Sequence, residues 1–291
     1  MVEGIRTVEI ARPARQVVGR DPGTPGGARL RALREQVGRT QLWVELEAEL
    51  GTGYLQRLES GRVAQPERPT LERILTALEA RYSERRDVMG LFGYTTPASP
   101  PTEQEIAWAC AVSRRELDQF SFPAYVLDCA HHLIAWNRYV PRLLGPESDD
   151  PLIETLAGRS LLAAWFDLAS PLARLVVEPD SFLPALIRAL RYEMEQLGSE
   201  AWHQQLLRQL LKELPSFRRY WAAVEQEPAP LGATRALAPM RLHVPGAGLL
   251  QFRLSAEHFT RDARFRVVYY FPADLATMQQ CEAWRRAAPR A

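Results

Sequence analysis

The spacing of apolar residues in the N-terminal third of the chain predicts a set of short helices. In the segment TQLWVELEAELGTGYLQRLESGR, residues 40–62, it fits one helix over 41–49 and a second over 52–60, joined by a tight turn. Thr40 and Thr52 stand where N-caps belong, because each hydroxyl can accept from an unpaired helical N–H. Such a pair of helices can offer one of them to a DNA groove. The predicted inward positions are Val44, Ala48, Leu50, Leu55 and Leu58.

One further helix is predicted on each side of this pair. The preceding segment, LRALREQVG, ends at Gly38, a residue suited to a helix C-terminus, and its apolar stripe is Leu30, Leu33 and Val37. The following segment, PTLERILTALEARY, begins at Pro69, and its stripe is Leu71, Ile74, Leu75 and Leu78. We therefore expect four helices around one small core.

Residues 29–80 resemble the lambda-repressor-like (XRE) helix-turn-helix domains. The resemblance rests on a Thr-Gln start, a Leu-Glu-x-Gly finish and ungapped spacing between them, carried by Thr40, Gln41, Leu55, Leu58, Glu59 and Gly61. Two positions depart from the family pattern: Glu45 replaces a small Ala, and Glu49 replaces the turn Gly. A non-glycine residue at positive φ costs about 1 kcal/mol, and an inward carboxylate costs more unless it is paired.

The resemblance implies DNA-facing side chains at the start of the first motif helix, along the second motif helix and just past its end. These are Gln41 and Arg62 toward phosphates, Thr52, Gly53 and Arg57 toward base edges, and Tyr54 toward a thymine methyl or the backbone. Arg57 is the first choice for base readout, because a guanidinium can present two donors to guanine O6 and N7. The alternative interpretation is that Arg57 and Arg62 are ordinary solvated charges.

Charge adds only weak support for a nucleic-acid partner. Residues 1–96 contain 15 arginines against 13 acidic residues, so DNA binding must depend on where the arginines lie. The chain has no apolar run of about 18 residues and no signal-peptide pattern, which predicts a cytoplasmic protein without membrane insertion. Its three cysteines, Cys110, Cys129 and Cys281, are odd in number and unrelated in spacing, which argues against a disulfide framework.

A stretch rich in Pro, Thr and Ser, TTPASPPTEQ at residues 95–104, is the predicted linker between two domains. It separates a helix-turn-helix domain over 29–94 from a second domain over 105–291. Residues 1–28 hold Gly, Pro and Arg without a helical stripe, and we expect them to form a flexible N-terminal arm.

The spacing of apolar residues in the second domain alternates between the helical and the strand period. A helix over TEQEIAWACAVSRRELDQF precedes a predicted hairpin, FPAYVLD and HHLIAW, and Asn137 then stands as N-cap of a short helix closed by Gly145. A helical block runs over 158–226, followed by the strands MRLHV, LLQFRLS and RFRVVYYF and a last helix from Asp274. The predicted class is α+β: an all-α helix-turn-helix domain joined to an antiparallel-sheet domain with an inserted helical block.

The order of these elements is similar to a PAS-like sensor fold. The segments FPAYVLD, AWNRYVPRLLG, SLLAAWF and SFRRYW look like the ligand-binding domain of MmyB-like transcription regulators. This resemblance implies a cavity for a small apolar molecule such as a fatty acid. The expected lining is Trp136, Trp165, Phe166, Leu186, Phe252 and Tyr269, each of which also fits an ordinary packed core. Candidate partners for a ligand carboxylate are Arg138, His132 and Arg253.

Two classes of function fit these patterns. The favoured one is a transcription regulator that binds a pseudo-palindromic double-stranded DNA operator as a homodimer. In this hypothesis an apolar ligand biases the spacing between the two DNA-binding domains of the dimer. The rival is an enzyme domain tethered to a DNA-binding head, but no GxSxG, HExxH or GxxxxGK[ST] motif is found. Cys129, His131 and His132 are a weak metal set, since neighbours in a strand point to opposite faces and no fourth ligand is evident. We therefore expect no catalytic residues, no metal and no cofactor beyond the apolar ligand.

Overall fold

The structure is a computed structural model that describes residues 23–145, 156–197, 200–226 and 238–287. The chain divides into two compact units, Met1–Thr96 and Pro97–Ala291. Most of the predicted arm, residues 1–22, lies outside the described residues. Residues 25–28, also assigned to that arm, belong to the first helix, because Thr24 caps it by accepting from the N–H of Gly27 at 3.1 Å.

The described part of the first unit contains five helices, one more than predicted. They are α1 Pro25–Gln36, α2 Gln41–Glu47, α3 Tyr54–Glu59, α4 Arg68–Ala77 and α5 Tyr82–Leu91. Helix α5 buries only Val88 and Met89, so it has too short an apolar stripe to be recognised by periodicity. Thr40 caps α2 as predicted, with its hydroxyl accepting from the N–H of Trp43 at 3.1 Å.

The core of the first unit is formed by the predicted apolar stripes of α1 to α4. Its buried members include Leu30, Leu33, Val44, Ala48, Leu55, Leu58, Leu71, Ile74, Leu75 and Leu78, with Leu50 half-buried beside them. The prediction for Val37 is wrong, since this side chain is 41% exposed. Helix α1 ends at Gln36, so Val37 is its C-cap and leaves the helical stripe before Gly38 turns the chain at φ 68.

The second unit is a five-stranded antiparallel sheet with helices on it. Its described helices are α6 Glu103–Gln119, α7 Leu161–Phe166, α8 Pro171–Arg174, α9 Pro179–Leu197, α10 Ala201–Glu213, α11 Pro215–Glu225 and α12 Leu275–Ala287. Its described strands are β1 Ala124–Leu127, β2 Leu133–Trp136, β3 Ala238–Val244, β4 Gly248–His258 and β5 Arg266–Pro272, in the spatial order β2-β1-β5-β4-β3. The predicted α+β class and the order of hairpin, helical block and three strands are confirmed.

Asn137 does not cap a helix as predicted. Only a short 3-10 helix, Pro141–Leu143, follows it. The Asn137 side chain is buried, and its amide oxygen accepts from the N–H groups of Ala124 and Tyr139, each at 3.2 Å. Its amide nitrogen donates to the carbonyl of Phe122 at 2.8 Å. Asn137 therefore fixes the end of the β1–β2 hairpin, which is the wall of the cavity described below.

Alternation along β5 determines which side chains meet the helical block. Val268 and Tyr270 belong to the core between the sheet and helices α7 to α11. Val267 and Tyr269 point the other way, into a smaller cluster with Leu117 of α6. Because the side-chain period of a strand is two, one residue of offset moves a side chain from one core to the other.

Candidate DNA-binding surface and ligand cavity

The N-terminus of helix α3 is capped by a side chain of α2, the preceding helix of the motif. Thr52 is not its N-cap, contrary to the prediction: Gly53 holds that position at φ 79, and no side chain of the N-cap residue can contribute. Instead, the Glu45 carboxylate of α2 accepts from the N–H of Gly53 at 3.0 Å and from the N–H of Leu55 at 2.8 Å. Glu45 is 4% exposed, so the inward carboxylate is buried and paired with the start of α3.

The second departure from the family pattern, Glu49, takes the conformation that the missing glycine would take. Its φ is 53, in the left-handed region, directly after the C-cap Ala48 of α2. The next N–H, of Leu50, donates to the carbonyl of Glu45 at 2.8 Å and closes the end of α2. The turn geometry is therefore kept at a strain of about 1 kcal/mol.

The other end of α3 is held by an ion pair at Glu59. This buried carboxylate accepts from Arg34 Nε at 2.6 Å and from Arg34 Nη2 at 2.9 Å. It also accepts from Gln41 Nε2 at 2.7 Å, so the amide assigned to a DNA phosphate is half-buried and makes a bond inside the domain. Arg34 was not predicted as a functional residue, because nothing in α1 alone indicates a partner 25 positions away.

The remaining predicted DNA-facing residues lie on and around α3. Thr52, Arg57 and Arg62 are exposed, whereas Gly53 and Tyr54 are half-buried. The Arg57 guanidinium carbon lies 6.0 Å from the centroid of the Tyr54 ring. The carbonyl of Arg57 accepts from the N–H of Arg62 at 2.9 Å, which keeps both arginines at the same end of α3. The fold thus presents one helix, fixed at both ends by buried carboxylates, with arginine on its exposed face.

A small apolar cavity lies between the sheet and the helical block of the second unit. Its volume is about 20 Å³. The lining is Tyr125, Leu133, Val140, Leu143, Leu144, Leu156, Leu161, Trp165, Leu172 and Tyr270. A cavity of this size holds about one water molecule, whereas sites for drug-sized ligands measure roughly 300–1,000 Å³. In this conformation the cavity is therefore too small for an acyl chain.

The predicted lining residues are distributed over the cavity wall and its surroundings. Trp165 lies in the wall. Trp136, Phe166, Leu186 and Phe252 belong to the surrounding core and are not among the lining residues. The sequence did not indicate most of the lining, because aliphatic residues such as Leu133, Val140 and Leu161 fit any core equally well.

Two predicted pocket residues require correction. Tyr269 lies on the opposite face of the sheet, where its hydroxyl donates to Glu116 of α6 at 2.6 Å. The alternation of β5 turns the next residue, Tyr270, to the cavity instead. Arg138 is exposed and is not part of the lining, since it follows the hairpin just after Asn137 leaves the sheet.

Two of the residues that line the cavity, Tyr125 and Tyr270, carry hydroxyl groups. The hydroxyls of Tyr125 and Tyr270 lie 3.4 Å apart and are both buried. Burial raises the pKa of Tyr125 to about 12, against the opposing effects of the Tyr270 hydroxyl and the Arg266 charge. Burial also raises the pKa of Tyr270. Both groups are therefore neutral near pH 7 and can donate or accept a hydrogen bond.

Beside this cavity is a buried charged cluster, defined here as Arg266, Glu193 and His131. Glu193 Oε2 lies 3.2 Å from Arg266 Nη1 and 3.1 Å from His131 Nε2. His131 Nδ1 lies 2.5 Å from Arg266 Nη2, so the ring donates from Nε2 and accepts at Nδ1. Burial and the Arg266 charge lower the pKa of His131 and keep it neutral. Burial opposes ionisation of Glu193, but Arg266 and His131 outweigh it and lower its pKa to about 2.

The residues considered as metal ligands either form hydrogen bonds to other side chains or are buried as neutral groups. His132 Nδ1 is 2.9 Å from Asp128 Oδ2, and the hydrogen bond to this carboxylate raises the pKa of His132. Burial raises the pKa of Cys129 to about 12, so it is a thiol and not a thiolate ligand. Within the part of the chain that the structure describes, no group of three or more His, Cys, Asp or Glu side chains could hold a metal ion.

Comparisons with known proteins agree with the two halves of the architecture. A helix-turn-helix domain family matches residues 27–88, and the family described as MmyB-like transcription regulator ligand binding domain matches residues 111–283. A DNA-binding head followed by a small-molecule domain defines a transcription regulator. Since the second match covers more than half of the chain, the protein belongs to the MmyB-like transcription regulators.

Other comparisons add little. No curated protein matches the chain. One solved structure, described as "Structure of an RNA-binding Light-Oxygen-Voltage Receptor", matches 89% of this chain and 62% of that chain, at 12% identity and a TM-score of 0.23. A likeness this weak supports no conclusion about fold or function. None of the described helices is both long and apolar enough to cross a membrane.

Proposed function

We propose that the protein is a sequence-specific regulator that binds a double-stranded DNA operator through α3 and senses a small, apolar, fatty-acid-like molecule in its second unit. The observation that carries this proposal is the exposed Arg57 on a helix whose two ends are held by Glu45 and Glu59. A side chain can discriminate bases only when the helix that presents it has a defined orientation.

In this proposal Arg57 reads a guanine edge and Arg62 contacts a phosphate. Thr52 and Gly53 approach the bases at the start of α3, and Tyr54 contacts a thymine methyl or the backbone. Gln41 reaches a phosphate with the second N–H of its amide group, since the bond to Glu59 uses one N–H only. Binding measurements distinguish the two roles. Base contacts determine sequence preference, and phosphate contacts determine the salt dependence of binding.

The ligand domain of the proposal is PAS-like, as the strand order β2-β1-β5-β4-β3 and the helical block on one face suggest. Its cavity is lined mostly by apolar side chains, with Tyr125 and Tyr270 among the lining residues, which suits an acyl chain. Because the cavity measures about 20 Å³, such a ligand must widen it by moving α7 and α8 away from β1 and β5. Ligand binding therefore changes the conformation of the domain.

We further propose that the regulator acts as a homodimer on a pseudo-palindromic operator. Two-fold symmetry of the protein matches two half-sites on the DNA. A ligand alters DNA affinity only when it binds two dimer arrangements with different affinity, and the movement needed to open the cavity supplies such a difference.

The test begins with selection of duplexes from a random DNA pool by the full-length protein. The selected duplex and a scrambled duplex are then titrated with wild-type protein, with Arg57→Ala and with Arg31→Ala, an exposed arginine of α1 that pairs with Glu35. We expect Arg57→Ala to reduce the preference for the selected duplex and Arg31→Ala to keep it. Equal loss of affinity for both duplexes would contradict base readout by Arg57, and absence of any selected sequence would contradict the proposal as a whole.

The rival function, an enzyme domain on a DNA-binding head, gains no support from the neighbouring cysteine and histidine of the β1–β2 turn. Cys129 is buried with a raised pKa, and the nearby His131 is bonded to Glu193 and Arg266. A nucleophilic cysteine needs a lowered pKa and an adjacent base.

A further inference from the structure

We propose that Arg266 is the anchor for the carboxylate of an acidic apolar ligand, and that Glu193 occupies this anchor in the conformation described here. The proposal rests on the function proposed above and specifies the head group of the ligand and the contact that its binding breaks. Arg266 replaces the three anchors suggested by the sequence: Arg138 and Arg253 are exposed, and His132 is bonded to Asp128.

Arg266 lies on the cavity side of the sheet, in the row of side chains next to the cavity wall. It has the same strand parity as Val268 and Tyr270, which face the helical block. Its cross-strand neighbour on β1 is Leu127, and Leu127 in turn pairs with Leu133, which lines the cavity. Tyr125 pairs with Val268, which makes Arg266 its diagonal neighbour at about 7–8 Å between Cα atoms. An acyl chain in the widened cavity therefore brings its head group to Arg266.

The present partner of Arg266 is chemically equivalent to the proposed ligand head group. The guanidinium is 4% exposed, and a buried cation of this kind must be paired. Glu193 supplies a carboxylate at 3.2 Å from Nη1. An entering carboxylate can replace Glu193 without changing the charge of the cluster, whereas an alcohol or an ester cannot.

Two further observations indicate that the cluster is more than an ion pair between elements. His131 is held at φ 63, a left-handed conformation that is costly for a non-glycine residue, and its ring bonds both Glu193 and Arg266. His203 of α10 is 2% exposed, and its Nδ1 has no hydrogen-bond partner. Burial lowers the pKa of His203, and the charge of Glu193 is the opposing influence. His203 therefore has a buried ring nitrogen that no group in the described part of the chain uses.

Replacement of the Glu193 carboxylate by a ligand carboxylate at Arg266 has a structural consequence for α9. Glu193 lies on that helix, and its bond to Arg266 attaches α9 to the start of β5. A ligand carboxylate that takes Arg266 releases this attachment at the same time as the acyl chain widens the cavity. Head-group recognition and the movement of the helical block are therefore one event.

The test compares straight-chain acids from octanoic to hexadecanoic with the alcohols and methyl esters of the same length, titrated into the full-length protein by calorimetry. Wild-type protein is expected to bind an acid in preference to its alcohol. Glu193→Gln removes the competing carboxylate and keeps the guanidinium, so affinity for the acid should rise by on the order of tenfold. Affinity for the alcohol should rise by less, since the alcohol gains only from the weaker attachment of α9.

The second variant, Arg266→Leu combined with Glu193→Gln, removes the anchor without leaving a buried charge unpaired. It is expected to lose the preference for acid over alcohol, by on the order of tenfold or more, and to keep binding of the alcohol. The matched control is Glu178→Gln, which breaks the exposed pair between Glu178 and Arg241 at 2.7 Å and should leave every ligand affinity as in wild type.

The outcomes separate this inference from the function on which it rests. Equal affinity of wild-type protein for acid and alcohol, or an acid preference that survives in the double variant, would overturn the role of Arg266 and leave apolar sensing intact. Failure of every acid, alcohol and ester to bind would overturn both the role of Arg266 and the proposed sensing of an apolar ligand.

Discussion

Glu45 provides the sharpest prediction about the DNA-binding unit. Replacing it with the Ala that the family usually has at this position would leave the N–H groups of Gly53 and Leu55 without their acceptor. The Leu55 bond is buried, and Gly53 has no side chain with which to cap α3. Glu45→Ala should therefore destabilise the first unit and loosen the start of α3.

The magnitude follows from the two lost bonds. Loss of an N-cap costs about 1 kcal/mol, and a buried N–H left unpaired costs about 1–3 kcal/mol. Relief from burying a carboxylate offsets part of this cost, so the expected destabilisation is about 2 kcal/mol. For a domain of this size, each kcal/mol lowers Tm by about 4–8 °C, which gives a decrease of about 10 °C.

The assay is urea denaturation of the full-length protein, combined with amide hydrogen exchange at residues 53–56. Glu47→Ala is the matched control, because Glu47 lies on the same helix and is exposed. Glu45→Gln should fall between the two, since its amide oxygen replaces one of the two acceptors. A Glu45→Ala protein with stability within about 0.5 kcal/mol of Glu47→Ala, and with unchanged exchange at Leu55, would refute the reasoning.

Three other predictions concern the remaining sites. Arg57→Ala should reduce the free-energy difference between the selected and a scrambled duplex by about 1–3 kcal/mol, as measured by fluorescence anisotropy, and an unchanged difference would exclude base contact. Because the pKa of Glu193 falls from about 4.3 in the unfolded chain to about 2 in the folded protein, its stabilising effect is present above pH 4.3 and is lost as the pH falls toward 2. Thermal unfolding of Glu193→Gln should then depend less on pH across this interval than that of wild type. Leu161→Trp should fill the cavity and abolish fatty-acid binding at a cost of about 1–3 kcal/mol in stability; full binding by this variant would place the ligand elsewhere.

The helices of the first unit could be predicted from the sequence because their apolar stripes are regular and their ends are marked. Thr40 and Gly38 mark two ends by local chemistry, and the structure has both in these roles. The cap of α3 could not be predicted in this way, because its acceptor comes from Glu45, eight and ten positions away from the donors. A carboxylate at an inward position indicated that some partner was needed, but not which one.

The succession of hairpin, helical block and three strands along the second unit followed from period and turn signals, whereas the cavity wall did not. Choosing between Tyr269 and Tyr270 required the phase of β5 relative to the helical block, and a run of apolar and aromatic residues conceals that phase. Arg266 was missed for a related reason. In the sequence, an arginine at the start of an apolar strand looks like a solvent-exposed residue at the strand end. Only the fold brings Glu193 and His131 into contact with Arg266.

Hydrogen exchange of the full-length protein, with and without a selected duplex, tests the central claim most directly. We expect strong protection of residues 52–62, the segment that includes α3 and Arg62, when the operator is bound. We expect much weaker protection there with a scrambled duplex at the same salt concentration. Protection confined to other segments, or no binding to any duplex at low ionic strength, would contradict the assignment of α3 as the helix that reads DNA.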